Sequence, residues 1–134
     1  MDLPTVASKL DESLGLTLVS AENEVATLRL EPREVGVVED EGVSYLHGGA
    51  LATCVDTAAW YAAASASQTE DWLLVGLQLE ALRLARDEPH RVTARCIRAG
   101  RTRAVVDVEI ASDREPSRVV AVGRASLART PARG

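Results

Sequence analysis

At 134 residues the chain has the length of one domain with its own core, and a hydrophobic content of 46% suits a folded protein, not a disordered one. Phe is absent and aromatic residues make up 3%, so the core falls to Leu, Val, Ile and Ala, and burial between copies of the chain is expected to supplement it. A net charge of −5 excludes nucleic acid as the expected partner, because that interaction normally shows a basic excess.

The two cysteines, Cys54 and Cys96, sit in apolar-patterned segments and read as buried thiols, without metal-type Cys/His spacing. Neither a signal-peptide pattern nor an apolar run long enough to span a bilayer is visible, which predicts a cytoplasmic protein with no membrane partner.

In chain order, Thr5 to Leu14 has loose helical spacing between Pro4 and Gly15 and predicts a short helix with a glycine stop. Leu16–Ser20 and Val25–Leu30 read as strands joined at Glu22-Asn23-Glu24. From Glu31 to Leu46 the pattern is broken by Pro32, Gly36, Gly42 and acidic residues, and predicts a loop. A long helix follows from about Ala50 to Ser67, apolar over most of its circumference. Thr53, Asp56, Thr57 and Trp60 form its polar stripe, opposite Leu51, Cys54, Val55, Ala58 and Ala62.

Four strand-like segments complete the pattern. The first, from Leu73, changes apolar phase near Ala81, which predicts a β-bulge there. Val92–Arg98, Ala104–Ala111 and Val119–Ala128 follow, separated by turn-forming residues at hairpin spacing. Thr130–Gly134 reads as a frayed tail. The order predicts an α+β domain over residues 1–134, an antiparallel sheet wrapped around one long central helix.

The chemistry concentrates at His47-Gly48-Gly49, with Asp56 nine residues after the histidine. Adjacent glycines let backbone amides approach a ligand closely, and a helix beginning there directs unpaired N–H groups and its positive dipole end at the same place. That is a holder for an anion, or for a carbonyl oxygen becoming one. A lone carboxylate in an Ala/Leu/Val run is expensive to bury, which marks Asp56 as functional. His47 reads as bracing the loop ahead of direct acid–base work, and Trp60 as a wall of the pocket or core. Ser44, Ser65 and Ser67 lack partnered His and Asp residues, which argues against a serine nucleophile. The arginines of Arg98 and Gly100-Arg101-Thr102-Arg103 read as solvated charge ahead of a phosphate contact.

With this element order, the motif resembles the hotdog-fold acyl-CoA thioesterases, and more narrowly their phenylacetate-degradation branch with its His-Gly-Gly signature. The resemblance runs from about Leu14 to Leu127. It implies a thioester hydrolase in which the Gly48 amide polarises the carbonyl and Asp56 acts as general base or nucleophile, with His47 completing the catalytic motif. It further implies substrate contacts at Gly49, Thr57 and Trp60 and a water-holding place near Gln78. The implied substrate is acyl-CoA, with no separate cofactor or metal. The implied assembly is a homodimer or tetramer with sites between subunits. One departure stands out: relatives carry Asn or His about six residues before the motif histidine, where this chain has Glu41. A carboxylate there would repel an oxyanion, so a non-catalytic acyl-CoA binding module of the same fold is the alternative.

Overall fold

The structure is a computed structural model, describing residues 1–130. Its elements are α1 (Lys9–Leu14), β1 (Leu16–Glu22), β2 (Val25–Leu30), a single 3-10 turn (Glu34–Gly36), β3 (Val37–Asp40), β4 (Val43–Leu46), α2 (Gly48–Ser67), β5 (Trp72–Ala81), β6 (His90–Ala99), β7 (Arg103–Ser112) and β8 (Val119–Arg129). Six strands form an antiparallel sheet in the order β1-β2-β6-β7-β8-β5, and β3 pairs with β4 in a separate hairpin. The sheet wraps α2, the hotdog arrangement.

The cause is α2 itself. Its twenty residues include one charge, Asp56, and Ala50, Leu51, Cys54, Val55, Ala58, Ala59, Ala62 and Ala63 are buried. Such a helix cannot face water on most sides, and the alternating inward residues of the strands cover it. Leu28, Leu30, Val92, Ala94, Val106, Ile110, Ala121 and Leu127 belong to the same core. Cys54 and Cys96 are free, buried thiols. Small residues let backbone and helix meet closely at Gly123, where a Cβ would fall 2.9 Å from the Gln78 carbonyl oxygen and 2.9 Å from Val55 Cγ2.

Three local expectations are corrected. The first helix starts at Lys9, not Thr5, because Ser8 caps it by accepting from the Asp11 N–H, while the Thr5 carbonyl accepts from the Leu18 N–H. It ends as expected at Gly15, whose φ of 83° is left-handed. The segment Glu31–Leu46 is no plain loop: Glu41 (φ 49°) and Gly42 (φ 80°) make a tight left-handed turn between β3 and β4. The hairpin then docks on the chain after β5, with Leu46 N–H donating to the Ala85 carbonyl and Asp87 N–H to that of Ser44. In β5 the register shift falls between Leu74 and Gly76. At Ala81 the strand ends, and the N–H groups of Leu82 and Arg83 both donate to the Val120 carbonyl.

Gly123→Ala is expected to lower unfolding free energy by about 1–3 kcal/mol in urea titration, since the added methyl must displace backbone or Val55. A change within about 0.3 kcal/mol would show that the helix–sheet approach has slack there.

Candidate active site

The start of α2 is fixed by its N-cap, His47 (φ −61°, ψ 141°). The His47 N–H donates to the Gly36 carbonyl at 2.8 Å, tying the helix mouth to the 3-10 turn. Its Nδ1 accepts from the Gly49 N–H at 2.8 Å, and its carbonyl accepts from Ala50 and Leu51. The ring thus braces the turn, as the sequence suggests, and it engages Gly49's only donor. A Cβ at Gly49 would meet that ring at 3.0 Å. Gly48 differs. Its N–H has no partner among the described residues, and nothing lies within 4 Å of where a Cβ would be. A free amide at the positive end of a 20-residue helix, opening into empty space, suits a carbonyl oxygen gaining charge.

Asp56 lies two turns further along, half-buried, with no hydrogen-bond or ion-pair partner among the described residues. Burial pushes its carboxyl above the ordinary carboxylate range, and the nearby Asp11 carboxylate adds to the push. A carboxylate so raised is a better proton acceptor than an exposed one. Thr53 and Trp60 share its half-buried side of the helix; the Trp60 ring packs edge-on to Tyr61 at 5.3 Å. Thr53 is turned to its own helix, donating to the Gly49 carbonyl at 2.9 Å.

Two predicted contacts lie elsewhere. Thr57 is buried, and its O–H donates to Asp11 Oδ1 at 2.6 Å, under α1. Gln78 pairs across the sheet with Arg124, so both side chains stand on the outer face, away from α2. There Gln78 lines an open groove of about 890 Å³ with Arg95, Asp107 and Arg124. The sheet separates that groove from Asp56. On β5, Trp72 is buried in the core, and Leu77 and Leu79, the neighbours of Gln78, pack partly against it.

Helix geometry separates the two principal groups. Eight residues at ~1.5 Å each place the Gly48 amide about 12 Å along the axis from Asp56, too far for both to serve one thioester carbonyl. Glu41 stands at the tip of the β3–β4 turn, on the far side of β4 from the helix mouth, so within one chain it does not crowd the Gly48 amide. Arg98, Arg101 and Arg103 are exposed at the β6–β7 turn. That turn lies beside the end of β8, where Arg129 N–H reaches the Thr102 carbonyl, at the opposite end of α2 from the glycines. Sequence reasoning missed Ser8 and Asp11, although Ser8-Lys9-Leu10-Asp11 has the spacing of a helix-capping box.

Among the described residues, no group of three His, Cys, Asp or Glu side chains is placed to hold a metal ion, and no helix is long and apolar enough to cross a membrane. The profile of the Thioesterase superfamily matches residues 44–119, more than half of the chain and including the whole of α2. A conserved protein from Pseudomonas aeruginosa is 28% identical, with a TM-score of 0.76, over 94% of this chain and 97% of its own. The PaaI protein from the phenylacetic acid degradation operon of E. coli is 21% identical, with a TM-score of 0.77, over 92% of this chain and 86% of its own. A hypothetical thioesterase from Streptococcus pneumoniae, solved with coenzyme A, is 18% identical, with a TM-score of 0.74, over 89% of this chain and 88% of its own. No match was found among curated protein sequences. With the wrapped helix and the matched profile together, the chain belongs to the thioesterase superfamily and has its hotdog fold.

Proposed function

We propose that this protein hydrolyses an acyl-CoA or a related acyl thioester, at a site that two copies of the chain complete together. The observation that carries the reading is the pairing, on one helix, of an unbonded Gly48 amide facing open space with a half-buried, unpartnered Asp56. The His47-Gly48-Gly49 motif aligns it with the phenylacetate-degradation branch, and the coenzyme A bound by the pneumococcal relative supports the leaving group.

In the proposed reaction the Gly48 N–H of one protomer binds the thioester carbonyl oxygen. Asp56 of the other takes a proton from water as the water oxygen bonds to the carbonyl carbon. The oxyanion is held by the amide and the helix dipole. Collapse re-forms the carbonyl, breaks the carbon–sulfur bond and expels thiolate, which receives the proton from Asp56. The products are a carboxylic acid and a free thiol. Trp60, half-exposed beside Asp56, would wall the acyl group.

The two-copy requirement has structural support. β5 ends the sheet with one edge unpaired, and Leu73, Val75, Leu82 and Leu84 on and after it are exposed. A free apolar edge of ten residues is a ready template for a second strand. Pairing it with the β5 of a second copy would bring the two helices side by side, a symmetric self-contact.

Asp56→Asn is expected to lower kcat by about 10²- to 10⁴-fold on a thioester panel, and a rate equal to wild type would remove Asp56 from the mechanism. Tight thioester binding by the wild type without turnover would instead identify the binding module.

Gly48→Pro removes the free amide proton and adds a ring, whose bulk Gly48→Ala controls for in part. Proline is tolerated at the first helical position, and the extended His47 before it accepts a following proline. This variant is expected to fold and to lose about 10²- to 10³-fold in kcat, while Gly48→Ala, which keeps the N–H but fills the clearance beside it, is expected to keep most of kcat and to raise KM. Reassembled mixtures of Gly48→Pro and Asp56→Asn should recover about a quarter of wild-type activity, because half of the dimers are mixed and each holds one intact site. Recovery of none would place the two groups in the same chain.

Asp56 also costs stability, with a definite sign. Its folded carboxyl is raised above the unfolded value of about 3.9, so the fold disfavours the ionised form. The penalty is absent below that unfolded value and full once pH exceeds the raised one. Asp56→Asn is therefore expected to raise Tm at pH 8 and to have little effect on it near pH 3; a larger gain in acid would contradict the assignment.

A further inference from the structure

His90, the first residue of β6, is fully buried and takes no part in the proposed reaction. It is flanked by Leu30 of β2 and Ser112 of β7, both buried as well. Its Nδ1 lies 2.6 Å from the Glu88 carbonyl oxygen. A carbonyl can only accept, so Nδ1 carries the hydrogen and Nε2 is bare in the neutral ring. Nε2 is itself buried, with no partner among the described residues. The neutral ring thus has its one donor satisfied. A proton at Nε2 would create a charge and a new donor in a place closed to solvent, with no acceptor beside it.

This ring is one of several pins on residues 82–89, which link β5 to β6. Glu88 also accepts from Ser112 Oγ at 2.8 Å, the Pro89 carbonyl accepts from the Asp113 N–H, and Arg118 Nη2 donates to the Leu84 carbonyl at 2.9 Å. The pinned link is in turn the seat of the β3–β4 hairpin. Leu46 N–H donates to Ala85 at 2.7 Å, Asp87 N–H donates to Ser44, and Tyr45 bridges to Arg86. Leu46 leads directly into His47, the cap of α2. A release at His90 therefore reaches the helix mouth through a chain of named bonds.

The charges facing the ring come from its own link and from the β7–β8 turn. They are Glu88, already engaged by Ser112 and Arg114; Arg118; and Asp113, paired with Arg29 and Arg91. α2 carries one charge, Asp56, on its half-exposed side. Burial pushes the imidazole below its ordinary value, Arg118 pushes the same way, and Glu88 and Asp113 oppose without reversing the direction.

We propose that His90 is an acid-sensitive latch on the mouth of α2: its neutral ring fastens residues 82–89, the seat of the β3–β4 hairpin, and a proton at Nε2 releases that seat. The released ring takes its proton at higher pH than the fastened one. The hold is therefore complete above the ordinary value of 6.5, weakens as pH falls below it, and stops weakening once the lower, fastened value is passed. The latch stands independently of the role given to Asp56.

The chain has two histidines, so imidazole nitrogen-15 spectra of the full chain carry two rings, and the His90 set is the one absent from His90→Asn. Asparagine can still donate to the Glu88 carbonyl and cannot take up a proton. In the wild type the ring is expected as the Nδ1–H tautomer, with its midpoint below 6.5. Hydrogen-exchange protection of the Leu46 and Asp87 amides should fall by about ten-fold per pH unit between 6.5 and that midpoint, while amides in the middle of β7 hold. In His90→Asn the fall should vanish. A ring found as the Nε2–H tautomer or titrating at 6.5 or above would overturn the latch, as would an equal loss of protection in His90→Asn. Protection lost in step across β7 would mean acid unfolding of the whole domain and would overturn it too. Should His90→Asn fail to fold, the wild type decides alone, because its ring midpoint and its Leu46 protection must track each other in one sample.

Discussion

Everything in this molecule follows from a helix that water will not accept. α2 runs for twenty residues with a single charge, and alanines dominate its middle. A sheet closes around it because small side chains permit close approach, as at Gly123 against Val55. That closure leaves one side of the helix partly open, the side with Thr53, Asp56 and Trp60. The same wrapping isolates Asp56 from counter-ions and ends the sheet at an unsatisfied β5 edge. Stability, chemistry and assembly thus share one origin.

The separation along α2 then dictates how a site can be built. A straight helix cannot bend its first amide back to a carboxylate two turns away. Relatives share the fold at low identity, which leaves the chemistry to be argued from individual groups. Of the residues expected around Asp56, Thr57 faces inward to α1 and Gln78 stands across the sheet, so in the proposed reaction substrate contact would fall to the helix mouth, to Trp60 and to a second copy.

The long elements were legible because their apolar periodicity is strong: α2 and the last three strands appear within about two residues of where the pattern puts them, while β5 begins as expected but ends at Ala81, short of Leu84. The β3–β4 hairpin was not, because its strands have four residues each and its acidic tip masks the alternation. The phase change near Ala81 reflects a strand ending against β8, a tertiary event with no local signature. At the candidate site, the glycine pair at a helix mouth and the half-buried place of Asp56 on that helix could be read from residue chemistry. The direction of Thr57 and Gln78 could not, since a one-residue difference in strand register or a rotation of 100° on a helix reverses a side chain's face. Asp11 was hidden by distance, forty-six positions from the Thr57 hydroxyl it holds.

The two glycines at the helix mouth answer to different masters. Position 49 is crowded by the imidazole of His47, so folding alone explains why no side chain grows there. Position 48 is neither crowded nor left-handed in backbone, and an alanine would sit in vacant room. Nothing internal to the polypeptide demands bareness at that spot. On the proposed reading the missing methyl there is clearance for a visitor, a vestibule whose shape is set by something that arrives from outside.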